Sequence, residues 1–364
     1  MRIVIFCHSL ISDWNHGNAH FLRGICSELI SRGHEVLVYE PENSWSYQNL
    51  MAEQVASYFT QFGRTYPTLK SNRYRTIDLE RMLQGADVAL VHEWNSPELI
   101  SRVGSYRARS SALRLLFHDT HHRAVTEPAE IAKLDLSAYD GVLAYGSSLR
   151  DIYVKRRWAK KAWVWHEAAD IRVFRPIPDT QKIYDVVWIG NWGDDERTSE
   201  LHEFLIDPIR DLGLKAIVYG VRYPSSGRKA LENAGIAYGG WLPNFQVPFA
   251  FARASVTVHV PRRPYIRALT GIPTIRPFEA LACGIPLIAA PWNDSEGFFR
   301  PEEDLFMVKD GKQMRARLID LLRDGSLAEY LSRNGIRTIQ RNHTCSHRVD
   351  QLFEILTELG SVSL

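Results

Sequence analysis

The sequence is poor in cysteine, nearly neutral and without a long apolar run. Its 364 residues include four cysteines that stand far apart, without the close pairing of a metal site, so we interpret them as reduced thiols of a cytoplasmic protein. The formal net charge of +2 is too small to indicate a nucleic-acid partner. No apolar run approaches the roughly 20 residues that cross a bilayer, and the chain starts with a predicted strand instead of a leader. We therefore expect neither a transmembrane segment nor a nucleic-acid partner.

A dinucleotide-binding fingerprint is also missing. The first predicted strand covers residues 2–8, an amphipathic helix covers 19–31, and the second strand covers 34–40. The loop after the first strand contains Gly17 and Asn18 but no Gly-x-Gly-x-x-Gly pattern, which disfavours an NAD-dependent oxidoreductase. Continuous apolar strands that alternate with helices are typical of a parallel sheet, in which such loops contact ligands. Gly17 and Asn18 therefore either contribute to a ligand site or simply form a turn.

Two later predicted strands both end at a histidine that is followed by an acid. One strand ends at His92 and Glu93, and the other ends at His118 and Asp119. Because the carboxyl ends of parallel strands line the ligand crevice, these residues are candidates for a site. Each histidine alone is equally compatible with a structural role. Imidazole is a common metal ligand, but no third ligand is placed convincingly. A metal site is therefore not favoured.

The second half of the chain repeats the alternation of strands and helices. A predicted strand over 184–190 leads into the loop sequence GNWGDDER, which ends at Arg197. Its glycines allow the backbone to approach a ligand, and Arg197 can bind a diphosphate through two hydrogen bonds. The three acids that precede Arg197 offer another interpretation, in which they pair with it.

The most informative stretch is 271–297. It predicts a loop, an apolar helix that is closed by Gly284, and a short buried strand. The N-terminus of such a helix favours phosphate, Arg276 can add a bidentate partner, and Glu279 can accept hydrogen bonds from two ribose hydroxyls. The alternative is a surface helix with a solvated Glu279 and with Arg276 paired to a nearby acid.

The segment FEALACGIPLIA within this stretch resembles the nucleotide-binding signature of GT-B glycosyltransferases, of the retaining family-4 type and the related spore-maturation-protein-type branch. In that pattern, the glutamate at the position of Glu279 holds the ribose of a nucleotide sugar. Many relatives also carry an acid eight residues earlier that touches the donor sugar, whereas this chain has Gly271 there. This departure favours the branch that has arginine at the position of Arg276.

The resemblance covers most of the chain and implies three sets of site residues. The catalytic set is His118, Arg197 and Arg276. The residues that would bind the donor nucleotide are Gly190, Asn191, Gly240, Trp241 and Glu279. The residues that would line the acceptor and sugar site are Gly17, Asn18, His92 and Glu93. No metal ligand is expected, because the arginines and the helix N-terminus would stabilise the departing diphosphate.

The sequence therefore predicts an α/β fold with two Rossmann-like, doubly wound domains that face each other across a cleft, as in GT-B enzymes. We expect an acceptor domain over 1–171, a nucleotide-sugar domain over 172–345, and a terminal helix over 346–364 that crosses back to the first domain.

The expected function is transfer of a sugar from a nucleoside diphosphate sugar, with UDP favoured, to a small-molecule, glycan or other hydroxyl-bearing acceptor. The resemblance implies retention at the anomeric carbon and no cofactor beyond the donor substrate. Two other functions stay open. A non-catalytic nucleotide-sugar or glycan-binding protein is compatible with Gly271, and an epimerase of the same fold would need a carboxylate pair near the anomeric carbon.

Overall fold

Residues 1–110 and 112–360, which the computed structural model describes, contain two parallel β-sheets of seven and six strands. The predicted terminal helix includes residues 361–364, which lie outside the described residues. The chain divides into two compact units, of which the first is Met1–Glu167 with Cys345–Leu364 and the second is Ala168–Thr344.

The sheet of the first unit has the order β3-β2-β1-β4-β5-β6-β7. Its strands are β1 (Arg2–Phe6), β2 (Glu35–Pro41), β3 (Ser71–Tyr74), β4 (Val88–His92), β5 (Arg114–Asp119), β6 (Gly141–Ala144) and β7 (Ala162–Val164). The central strands are buried along their whole length, which explains their continuous apolar sequence. The direction of the strand order reverses between β1 and β4, and a ligand crevice is expected at such a point.

The sheet of the second unit has the order β10-β9-β8-β11-β12-β13. Its strands are β8 (Tyr184–Ile189), β9 (Ala216–Tyr219), β10 (Ala237–Tyr238), β11 (Ala254–His259), β12 (Leu287–Ala289) and β13 (Phe306–Met307). Here the order reverses between β8 and β11. Both units are thus doubly wound parallel α/β structures, and this part of the fold prediction is confirmed.

Helices connect the strands in both units. Those of the first unit are α1 (Ala19–Ser31), α2 (Trp45–Ala52), α3 (Tyr58–Thr65), α4 (Leu79–Met82), α5 (Pro97–Arg109), α6 (Arg123–Thr126), α7 (Pro128–Ile131) and α8 (Ser147–Lys155). Those of the second unit are α9 (Thr198–Leu201), α10 (Asp207–Leu212), α11 (Ser225–Asn233), α12 (Val247–Ala252), α13 (Arg263–Arg267), α14 (Ile275–Ala282), α15 (Gly311–Arg323) and α16 (Gly325–Asn342). The last helix, α17 (Cys345–Glu358), belongs to the first unit.

Helix α17 packs on α1. Arg32, which follows the last turn of α1, donates to the Asp350 carboxylate at 2.6 Å. The Trp165 indole donates to the Arg348 carbonyl oxygen at 2.7 Å. Aromatic packing between His34 and Phe353 adds to these polar contacts. The last helix is therefore an integral layer of the first unit.

Helix α14 follows the predicted pattern. Seven of its eight residues are buried, and Gly284 beyond its end has φ +69°, the left-handed conformation that glycine adopts without strain. The residue before the helix is Thr274, at φ 60° and ψ −177°. A β-branched residue rarely has a positive φ, and this one forms no side-chain hydrogen bond to the helix. The first N–H groups of α14 are thus left without a side-chain cap from Thr274.

Arg23 on α1 holds the loop that follows β1. Its side chain has no exposed surface, and it donates to the carbonyl oxygens of Leu10 at 2.8 Å and Ile11 at 2.6 Å. It also forms a buried ion pair with Asp13 at 2.8 Å and a hydrogen bond to the Tyr58 hydroxyl at 3.3 Å. Because a buried guanidinium needs these partners, the loop is fixed by a residue of the next helix.

Candidate functional site

In the second unit, the loops after β8 and β11 are joined by Arg197. Asn191 lies in the first loop and Val260 lies in the second. The Arg197 guanidinium donates through Nη1 to the Val260 carbonyl oxygen at 2.6 Å and through Nη2 to the Asn191 carbonyl oxygen at 2.7 Å. Its Nε is buried without a hydrogen-bond partner. Arg197 therefore stands at the point where the strand order reverses, as predicted for a ligand-binding residue.

The acids that precede Arg197 pair with other arginines. Asp194 forms an ion pair with Arg222 at 2.9 Å, and Glu196 pairs with Arg262 at 2.9 Å. The carboxylates of Asp194 and Glu196 are thus occupied by Arg222 and Arg262, and Glu196 also acts on Arg197 through its charge. The backbone carbonyl oxygens of Val260 and Asn191 hold the Arg197 guanidinium, and the charge of Glu196 compensates it in part.

Arg262 and Arg276 bring further positive charge to Arg197. Arg262 donates to the Asn191 side-chain oxygen at 2.8 Å, and Arg197 donates to the same oxygen at 3.2 Å. Burial lowers the pKa of Arg197, and the positive charges of Arg262 and then Arg276 lower it further. The pKa of His259, at the end of β11, falls to about 3 through burial and the positive charges of Arg197 and Arg276. The lowered pKa values of Arg197 and His259 show that positive charge is crowded here, and a bound anion would be favoured because it compensates this charge.

Glu279 is fully buried on helix α14. Its Oε1 accepts a hydrogen bond from the Asn244 side-chain amide at 2.8 Å, and its Oε2 accepts one from Arg276. The interpretation of Glu279 as a solvated surface residue is therefore wrong, although Arg276 does pair with an acid. Each carboxylate oxygen has a second lone pair, so a ribose hydroxyl can bond to Glu279 only if it gains access to this buried group.

The space beside Gly271 is filled by another acid. Gly271 has φ +87°, and a Cβ atom added to it would lie 2.7 Å from the Ser295 hydroxyl oxygen and 3.1 Å from a Glu296 carboxylate oxygen. A side chain at position 271 would thus be strained and would collide with the loop. The carboxylate that the sequence lacks at this position is present nearby in space, on Glu296.

Gly240 and Trp241 belong to a turn that is attached to the loop after β8. Gly240 has φ +67°, and its carbonyl oxygen accepts from the Gly220 N–H at 2.8 Å. A Cβ atom on Gly220 would lie 2.0 Å from the Gly190 carbonyl oxygen, so only glycine allows this approach. Trp241 is partly buried beside the turn. The predicted donor residues Gly190 and Gly240 are therefore linked through Gly220.

In the first unit, histidines from the loop after β1 and from the carboxyl-terminal ends of β4 and β5 come together. The His92 ring lies 5.3 Å from His118 and 6.0 Å from His16, and His16 lies 5.7 Å from His8. We call His8, His16, His92 and His118 the histidine cluster. Trp45 stacks on His8 at 4.6 Å. The structure thus brings together His92 and His118, as predicted, and adds two further imidazoles.

Burial keeps the histidine cluster neutral. It lowers the pKa of His8 to about 4 and that of His118 to about 3. It also lowers the pKa values of His16 and His92, with added effects from His8 and His118 respectively. Each ring has one buried nitrogen without a hydrogen-bond partner, namely Nε2 of His8, His16 and His118 and Nδ1 of His92. Such orphaned polar atoms are rare in protein interiors and indicate a missing partner.

Glu93 and Asp119 form a buried acid pair behind these histidines. Arg123 pairs with Glu93 at 3.2 Å, and the Tyr153 hydroxyl donates to Asp119 at 2.6 Å. Burial raises the pKa of both carboxyls, and the pKa of Glu93 is raised further by Asp119. Glu93 also accepts from the Thr120 backbone N–H at 3.1 Å. The predicted site residue Glu93 is therefore bonded to protein groups in this structure.

Gly17 and Asn18 start helix α1 after the same loop. Gly17 is exposed, and Asn18 is buried as the residue before the helix. The Asn18 side-chain amide donates to Glu167 at 2.8 Å, and its side-chain oxygen is buried without a partner. The Asn18 side-chain oxygen is thus a further buried acceptor without a partner, two residues after His16 in the chain.

Two further observations concern metals and membranes. Within residues 1–110 and 112–360, no group of three or more His, Cys, Asp or Glu side chains has the geometry to hold a metal ion. The same part of the chain contains no helix that is long and apolar enough to cross a membrane.

Several residues of these sites were missed by sequence reasoning. They are His8, Thr120 and Asn244. Only His8 could have been recognised from the sequence. It comes just after the first strand, much as His92 and His118 come at the ends of β4 and β5. The others act through contacts with residues that are remote in sequence, and a single sequence contains no record of such contacts.

Comparisons with known proteins agree with this description. Residues 197–354 match a family described as "Glycosyl transferase-like". No curated protein sequence matches the chain. Sucrose-phosphate synthase from Thermosynechococcus elongatus has a similar structure, with a TM-score of 0.65, 16% identity and coverage of 100% of both chains. A glycosyltransferase from Rickettsia africae ESF-5 has a TM-score of 0.68 and 12% identity, over 100% of this chain and 99% of that one.

A third similar structure is the Anabaena protein HepE in complex with UDP and glucose. Its TM-score is 0.66 at 14% identity, over 98% of this chain and 100% of that one. The structural matches show the GT-B fold, and the family match shows a glycosyl transferase-like domain in the second half of the chain. The predictions of the fold and of a glycosyltransferase are confirmed, whereas the more specific branch stays a prediction.

Proposed function

We propose that this glycosyltransferase transfers a sugar from a nucleoside diphosphate sugar to a hydroxyl-bearing acceptor, without a metal ion or a cofactor. The observation that carries the proposal is the group of Arg197, Arg262 and Arg276 at the reversal point of the second sheet. Carbonyl and amide oxygens hold Arg197 without neutralising it, and the other two arginines lower its pKa. A diphosphate is an anion that suits such a group and the adjacent helix N-terminus.

The donor half of the proposal follows from the second unit. Glu279 would hold the ribose, Gly190 and Asn191 would contact the diphosphate, and Gly240 and Trp241 would contact the base. UDP is favoured because the similar HepE structure contains UDP and glucose. The glycine at position 271, where many relatives have an acid, favours the spore-maturation-type branch, which has arginine at the position of Arg276.

The chemical step breaks the bond between the anomeric carbon and the diphosphate oxygen, and the acceptor oxygen forms the new bond. Negative charge collects on the departing diphosphate, so fixed guanidinium groups lower the barrier. His118 would contact the transferred sugar as a neutral imidazole, since its pKa is about 3. Retention of configuration is proposed from the resemblance.

The acceptor half of the proposal rests on the first unit, where His92, Glu93, Gly17 and Asn18 would line the acceptor site. The four cysteines are buried thiols, which supports a reducing compartment such as the cytoplasm.

A nucleotide screen tests the donor assignment. UDP, GDP, TDP and ADP, each alone and as a sugar conjugate, are added to the protein and its melting temperature is measured. We expect one diphosphate to stabilise the native state, by about 2.7 kcal/mol at a concentration 100 times its Kd. Glu279→Gln should abolish most of this shift, because it removes the acceptor charge from the ribose site. Glu232→Gln, an exposed change in the same unit, is the control and should keep the shift.

The screen also separates the proposal from its alternatives. No shift with any diphosphate, or an unchanged shift in Glu279→Gln, would contradict the donor assignment. A non-catalytic binding protein would bind UDP-sugar without releasing UDP. An epimerase would convert the sugar while it stays on the nucleotide, and Glu93 with Asp119 is the buried acid pair that this alternative would have to use. Product analysis by mass and by NMR of the anomeric proton distinguishes these outcomes.

A further inference from the structure

Thr120 connects the histidine cluster to Glu93. The His92 Nε2 atom lies 3.2 Å from the Thr120 hydroxyl oxygen, and that hydroxyl donates to Glu93 Oε1 at 3.4 Å. The Thr120 backbone N–H donates to the same carboxylate oxygen at 3.1 Å. The three side chains are buried, so no bulk water competes for these bonds.

This chain of contacts favours one tautomer of His92. The Thr120 hydroxyl has one proton, and when it donates that proton to Glu93 its oxygen accepts from His92. In this arrangement His92 carries its proton on Nε2. Its Nδ1 is left with a lone pair, and Nδ1 is the buried atom that has no hydrogen-bond partner.

The surroundings of Nδ1 are polar but uncharged. The rings of His118 and His16 lie 5.3 and 6.0 Å away from the His92 ring, and each also has an unpartnered Nε2. Arg123 acts on His92 and Arg23 acts on His16, but Arg123 is already paired with Glu93 and Arg23 with Asp13. A phosphate or carboxylate would find no free counter-charge in the cluster. A hydroxyl group, which both donates and accepts, matches a set of neutral imidazoles.

We infer that the histidine cluster binds an uncharged hydroxyl group of the acceptor, and that His92 Nδ1 accepts the hydrogen bond from that hydroxyl. This inference rests on the proposed function for the identity of the ligand as an acceptor. Thr120 and Glu93 are positioning residues, since they act by holding His92 in the tautomer that presents a lone pair. The acceptor group that enters the cluster is thus an alcohol of a polyol or sugar, and not a phosphate or carboxylate.

The tautomer is tested by NMR on the full-length protein labelled with ¹⁵N-histidine. The signals of His92 are assigned by their loss in His92→Gln. We expect a protonated Nε2 and a bare Nδ1 in the wild type, and a change in the Nδ1 shift when methyl α-D-glucoside is added as an uncharged probe. Thr120→Ser keeps the hydroxyl and should preserve both features, whereas Thr120→Val, of nearly equal size, should lose them.

A transfer assay supplies the second readout. Transfer from UDP-glucose to the same glucoside should fall about ten-fold or more in Thr120→Val and recover in Thr120→Ser, because a misplaced histidine proton is very costly in other enzymes. UDP binding, measured by thermal shift, should be the same in all three proteins, so a failure of the donor proposal would be recognised separately.

Three results would overturn the inference. The first is a wild-type His92 with its proton on Nδ1. The second is a Thr120→Val variant that keeps both the probe-induced shift and the rate. The third is a response of His92 Nδ1 to glycerol 3-phosphate that depends on the phosphate and is absent with glycerol, since this would show an anion site.

Discussion

Replacing Arg197 by alanine is expected to lower the turnover of sugar transfer by about 100-fold or more, which is the typical cost of removing one group that stabilises developing charge. The hydrogen-bond partners of Arg197 include the carbonyl oxygens of Val260 and Asn191, and burial and the charges of Arg262 and Arg276 lower its pKa. The variant also leaves these two carbonyl oxygens without their donor. Steady-state rates of UDP release, measured with and without EDTA, check the prediction.

Two further variants separate charge from structure. Arg197→Lys keeps the charge but cannot bridge two carbonyl groups, so we expect a rate between those of the wild type and Arg197→Ala. Arg263→Ala removes the same kind of side chain from a nearby ion pair with Glu200 and should have almost normal turnover. A normal rate in Arg197→Ala would leave Arg197 with a purely structural role. A loss of activity in EDTA would reopen the question of a metal ion.

Acidification is expected to destabilise the first unit steeply below about pH 6, because the histidine cluster is buried in the neutral form. The folded-state pKa values of all four rings lie below the ordinary 6.5, at about 4 for His8 and about 3 for His118. As the pH falls below 6.5, the unfolded chain binds these protons and the folded chain does not. Each ring then lowers the free energy of unfolding by about 1.4 kcal/mol per pH unit. Four rings lower it by about 5 kcal/mol per pH unit, which is comparable to the whole stability of a domain.

The acid pair opposes part of this effect. The raised pKa values of Glu93 and Asp119 mean that the folded state binds their protons first, which adds stability as the pH falls towards their ordinary values. Urea unfolding at several pH values between 8 and 5 measures the net slope. His118→Asn should reduce the slope by about one proton, and His347→Gln, a partly exposed change in the same unit, should not. A slope that His118→Asn leaves unchanged would contradict the prediction, since His118 would then take up its proton in the folded state as well.

The sequence predicted those features that depend on local pattern. Helix α14, its end at Gly284 and the strands that end at His92 and His118 were recognised from apolar periodicity, glycine and strand length. Glu279 was identified through the signature that surrounds it. Each of these signals lies within a segment of about ten residues, and within such a segment the geometry of the helix or strand determines the outcome.

The features that could not be predicted depend on contacts between distant residues. Glu296 occupies the space beside Gly271 only because two loops meet, and Asn244 reaches Glu279 across 35 positions of the chain. The acids beside Arg197 were equally compatible with pairing to it, yet Asp194 forms an ion pair with Arg222 and Glu196 forms one with Arg262. The burial of the histidine cluster, which sets its charge, is likewise a property of the packed unit and not of any segment.

The role of Arg23 has a consequence for protein engineering. The loop between β1 and α1 contributes His8 and His16 to the cluster, but its shape is imposed by a guanidinium that comes from the following helix. A loop exchanged from another enzyme at the visible helix boundary would leave this cation enclosed without its carbonyl and carboxylate partners. To alter this loop, the segment to exchange is therefore the loop together with the first turns of α1, because Arg23 of the helix holds the loop through its hydrogen bonds and ion pair.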